Sequence, residues 1–72
     1  MMLTSDHKRK FHEMLMLFTQ NTMNTRSRLC RRYSNELIDE AVRLGYIVED
    51  HKTEDGIAVY LITESGRILR DR

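Results

Sequence analysis

The sequence predicts an α+β domain in which helices are followed by a two-stranded β-hairpin and a short C-terminal helix. Three observations predict it. Apolar residues recur at helical spacing before Gly45, a β-branched and aromatic run follows Gly56, and Asp55-Gly56 between two extended stretches is a strong hairpin signal.

The clearest helix begins at Ser34. Leu37, Ile38, Ala41, Val42 and Leu44 gather on one face of a 3.6-residue period, with Glu36, Asp39, Glu40 and Arg43 on the other. Gly45 then supplies the left-handed conformation that commonly ends a helix. Tyr46 to Val48 opens the first strand, and Ile57 to Thr63 forms the second. A two-residue type I′ turn at Asp55-Gly56, with positive φ at both residues, sets Glu54 opposite Ile57. Counting outward pairs Lys52 with Val59, Asp50 with Leu61, and Val48 with Thr63. Val59 and Leu61 then share one face and Tyr60 and Ile62 the other, and a one-residue bulge would swap the two sets.

This order of parts resembles the winged helix-turn-helix proteins, with recognition helix, wing and following helix. The closing run Leu61-Ile62-Thr63-Glu64-Ser65-Gly66-Arg67 is similar to the leucine-threonine-x-x-glycine-arginine run of MarR-like regulators, with one extra residue between leucine and threonine. The likeness covers about forty residues at the C-terminal end. It implies a winged-helix-like fold and a DNA-binding role in regulating transcription or a mobile element.

The 72 residues make one domain, 1–72, with a thin core that leaves little room for an enzyme cleft. No apolar run approaches the roughly 18 residues of a membrane span, so no membrane association is expected. Cys30 is the single cysteine, which excludes an internal disulfide and suits a reducing compartment. The basic N-terminus has no small-residue cleavage site and does not read as a signal peptide, so the expected location is cytoplasmic. His7 and His12 are five apart and lack partners at metal spacing, and there is no glycine-rich phosphate loop. Neither metal nor cofactor nor enzymatic chemistry is expected. Tyr33, Tyr46 and Tyr60 read as core edges rather than as platforms for unpaired bases.

In the first part of the chain, Thr4 or Ser5 can cap a helix with Phe11, Met14, Leu15 and Phe18 on one face, preceded by frayed residues 1–4. Met16 and Leu17 widen that stripe and predict packing on more than one side. Asn21 to Asn24 is a polar break of turn-forming residues. Thr25 to Arg32 then admits two readings. It is either a short second helix capped by Thr25, or the start of one continuous helix to Leu44 whose stripe runs through Leu29, Tyr33, Leu37, Ala41 and Leu44. Ser34 and Asn35 favour a cap and hence two helices. The unbroken stripe and the i, i+4 pairs Arg32 with Glu36 and Asp39 with Arg43 favour one.

Charge is distributed unevenly although the net is only +1. Residues 1–32 hold seven basic and two acidic side chains, and residues 33–72 hold five basic and nine acidic. A basic half is the footprint of a nucleic-acid binder. Arg26, Arg28, Arg31 and Arg32 gather where the recognition helix begins, and recognition helices meet base edges with their N-terminal residues. Lys8, Arg9 and Lys10 add phosphate contacts from the first helix, and Lys52 adds one from the wing. Against this stand Glu36, Asp39 and Glu40 on the helix face and Glu49, Asp50, Glu54 and Asp55 on the wing, which leave only the helix tip to approach DNA. The same acids define the alternative of a protein-interaction or inhibitor module that docks a basic partner through its wing and helix face. A homodimer joining that face to the arginines of another copy is a further expectation.

Overall fold

The computed structural model describes residues 5–20 and 22–71, with the side chains of residues 9–19 and 22–71. The expected fraying of residues 1–4 and the cap at Thr4 lie outside the described residues. The elements are α1 (Ser5–Gln20), β1 (Met23–Thr25), α2 (Arg26–Cys30), α3 (Asn35–Arg43), β2 (Ile47–Lys52), β3 (Ala58–Ile62) and α4 (Glu64–Arg70). The three strands form one antiparallel sheet in the order β1-β3-β2. This is a winged-helix-like arrangement.

α1 buries Phe11, Met14, Leu15 and Phe18, the i, i+3, i+4, i+7 set. Of the two residues that widen the stripe, Leu17 is half-buried against the core and Met16 is exposed. α2 contributes Leu29, α3 contributes Leu37, Ile38 and Ala41, and the sheet closes the core with Ile47, Ala58, Tyr60 and Ile62. Phe11 meets Tyr46 edge-on with ring centroids 5.7 Å apart, joining α1 to the segment after α3.

Residues 26–44 form two helices. Thr25 caps α2 by accepting from the Arg28 N–H (3.2 Å), and Ser34, in extended conformation, caps α3 by accepting from the Leu37 N–H (3.2 Å). The turn spans Arg31 to Ser34 because α2 ends at Cys30. The apolar stripe runs on through that turn because both helices face one core. α3 ends as the glycine predicts, with Leu44 as C-cap and Gly45 at φ +82°.

The polar break contains a strand. Met23, Asn24 and Thr25 pair with Leu61, Tyr60 and Val59, and Asn24 is buried. Nothing local marks these residues as β. The free edge of β3 makes them so.

The hairpin turn also differs from the two-residue expectation. Thr53 faces Ile57, with its N–H donating to the Ile57 carbonyl (2.9 Å) and its hydroxyl accepting from the Ile57 N–H (3.1 Å). The Gly56 N–H closes the turn on the Thr53 carbonyl (2.9 Å). Glu54, Asp55 and Gly56 are thus a three-residue loop, and Gly56 alone carries positive φ, at +81°. A second shift, a bulge between Glu49 and His51, gives the pairs Lys52 with Ala58, His51 with Val59, Val48 with Leu61 and Ile47 with Ile62. The two one-residue shifts add to two, so Val48 stays on the face of Leu61 while its partner changes. Lys52, between the shifts, crosses to the face of Ala58 and Tyr60.

Thr63 caps α4 by accepting from the Gly66 N–H (3.1 Å), while its own N–H donates to the Tyr46 carbonyl (3.0 Å) and its hydroxyl is directed at the carbonyls of Gly45 and Tyr46. One residue thereby joins the end of α3 to the start of α4.

Candidate nucleic-acid interface

The basic residues of α2 and the turn fall into two groups. Arg26 is turned inward. Its guanidinium donates to the Tyr60 hydroxyl (2.8 Å), to Asn35 Oδ1 (3.1 Å) and to Asp39 Oδ1 (2.9 Å), and so clamps α2 to both α3 and the central strand. Burial works against its charged form, but the bonds to Asp39 and Tyr60 outweigh it and hold the pKa above its ordinary value. Arg26 was expected to contact DNA directly. Three of its five N–H donors are engaged within the fold, with Asp39 one helical turn beyond Asn35 on the same side of α3.

Arg28, Arg31 and Arg32 form the second group. All three are exposed, and none makes an ion pair among the described residues. They lie on α2 and the turn that leads directly into Ser34 and the first residue of α3. Tyr33 between them is half-buried against the core and anchors the turn. Burial pushes its phenol pKa up, the charge of Glu13 acts in the same direction, and that of Arg32 opposes both.

The acids that opposed a DNA-facing α3 are largely matched. Asp39 pairs with Arg26 (2.9 Å) and Glu40 with Arg43, leaving Glu36 in the first turn, where a carboxylate complements the helix dipole. On the wing, Asp50 contacts His51 (2.6 Å), while Glu49, Glu54 and Asp55 are exposed without an ion pair among the described residues.

Of the remaining basic residues, Arg9 and Lys10 are exposed on α1. Lys8 also lies on α1, and its side chain falls outside the described ones. α1 packs against α3, the helix that follows the arginine turn. Lys52 lines an open groove of about 520 Å³ between α2 and the wing, shared with Arg26, Cys30, Asn35, Glu49 and Tyr60. Its place there follows from the register shift. Asn35, Asp39 and Tyr60, which shape the site by holding Arg26, carry no sequence signal of that role, since each partner is remote in the chain.

No family model matches the sequence, and no curated protein or solved structure matches it. Among the described residues no helix is long and apolar enough to cross a membrane, and no group of three His, Cys, Asp or Glu is placed to hold a metal ion.

Proposed function

We propose that this chain is a winged helix-turn-helix protein that binds duplex DNA and acts in the cytoplasm as a small regulator of transcription or of a mobile element. One observation carries the reading. Arg28 on α2 and Arg31 and Arg32 on the turn that leads into α3 are exposed and make no ion pair among the described residues, where a helix-turn-helix meets the DNA backbone. The pairing of Asp39 with Arg26 and of Glu40 with Arg43 supports it by offsetting charge that would repel phosphates near α3. Arg9 and Lys10 extend the basic surface from α1, and Lys52 extends it from the wing.

Replacing Arg28, Arg31 and Arg32 with alanine tests this. Wild-type binding to a duplex pool, followed by fluorescence anisotropy, is expected to weaken steeply with salt, and the triple variant to lose affinity with a slope flatter by about 1 per lost phosphate contact. A wild-type chain with no salt-sensitive affinity for duplex DNA overturns the proposal. The exposed acids Glu49, Glu54 and Asp55 then favour the second reading, a module that docks and inhibits a basic protein partner through the wing.

A further inference from the structure

The first residue of α3 is held in one orientation by bonds that engage one half of its amide and leave the other without a partner among the described residues. Asn35 Oδ1 accepts from Arg26 Nε (3.1 Å) and from Cys30 Sγ (3.2 Å). A guanidinium can only donate, so the atom facing Arg26 has to be the amide oxygen. The reversed amide would set Nδ2 protons against Nε–H. Both lone pairs of Oδ1 are thus engaged, and no group among the described residues takes the Nδ2 protons. The clamp is itself braced, because Arg26 is fixed at its other nitrogens by Asp39 and Tyr60. Asn35 is exposed, follows Arg32 by three positions and opens the helix.

Resting on the DNA-binding reading, we infer that Asn35 is a specificity-determining residue that presents donors alone and reads the major-groove edge of a guanine. The usual asparagine contact with adenine needs the amide oxygen to accept from N6 while the nitrogen donates to N7. That contact is closed here, because the oxygen is spent inside the protein. Guanine offers two neighbouring acceptors, N7 and O6, which match the two outward Nδ2 protons. Arg28, Arg31 and Arg32 supply phosphate affinity common to all sequences, and Asn35 supplies a preference between them.

The test uses duplexes enriched from a randomised pool by the full chain, with each guanine replaced in turn by 7-deazaguanine, which lacks the N7 acceptor. One substitution is expected to weaken wild-type binding roughly tenfold. Asn35→Asp keeps the inward acceptor for Arg26 and Cys30, loses the outward donors, and sets a carboxylate at the favourable end of the helix dipole. It is expected to fold, which circular dichroism checks, and to bind normal and substituted duplexes with a ratio near 1. Its added charge lowers affinity for both, so the ratio is what is read. An Asn35→Asp variant with an undiminished preference for guanine overturns this inference and leaves DNA binding standing, as does wild-type binding that no 7-deazaguanine substitution weakens. Absence of any salt-sensitive duplex binding overturns the DNA reading itself, and this inference with it.

Discussion

Gly66 lies in the first turn of α4, where an added Cβ would come within 2.7 Å of Ile62 Cγ1 and still nearer to the carbonyl oxygen of Tyr46. That carbonyl already accepts from the Thr63 N–H, so it cannot withdraw without breaking the joint between α3 and α4. The glycine of the closing run is therefore set by close approach of two backbones and not by a left-handed φ. Replacing a helical glycine with alanine ordinarily stabilises by roughly 0.5–1 kcal/mol. Gly66→Ala is expected instead to lower stability by about 1–3 kcal/mol, seen as a lower urea midpoint at unchanged slope. A raised midpoint would show that α4 has room to move away from Tyr46. The run itself is legible in the sequence, but its reason is not, since Tyr46 precedes β2 and Ile62 ends β3, and only the hairpin brings them together.

Among the helices, α2 depends most on its neighbours, being only 5 residues long. An isolated helix of that length does not persist in water. Leu29 and the Arg26 clamp hold it against α3 and β3. Arg26→Met removes the donors to Asn35, Asp39 and Tyr60 and leaves the buried phenol with one partner fewer. The expected loss is about 1–2 kcal/mol in urea unfolding, while Arg28→Met changes stability by less than about 0.5 kcal/mol. Equal effects of the two substitutions would place Arg26 with the exposed arginines and undo the division between them. The sequence left one helix or two open because apolar periodicity records which residues face a core and not whether the backbone is continuous. Ser34 resolves it through a cap that one hydroxyl makes with one N–H.

The molecule is electrically lopsided: among the described residues, Arg28, Arg31 and Arg32 at and before the turn into α3 and Glu49, Glu54 and Asp55 on the wing are exposed without an ion pair. Exposed charges act over about a Debye length, near 10 Å at 0.1 M salt, so the wing acids weigh on any DNA bound nearby. Glu54→Gln with Asp55→Asn is expected to raise duplex affinity severalfold at low salt, with the gain fading as salt increases. A loss of affinity in that variant would mean that the wing acids contribute contacts of their own. The same layout allows one copy's wing to meet another's arginine turn. Light scattering at low and high salt reads this directly, and a strict monomer at low salt removes the dimer.

Residue order alone was enough for the stripes of α1 and α3, the stop at Gly45, the place of the hairpin and the separation of charge, because each depends on spacing or on φ within a few neighbouring residues. Contacts across the chain settled the rest. β1 exists because Met23 to Thr25 meets the edge of β3, the hairpin register follows from a threonine-closed turn and a bulge, and Arg26 is tied to Asp39 and Tyr60. Such pairings join residues far apart in sequence, and their energy is realised only once the core has brought those residues together.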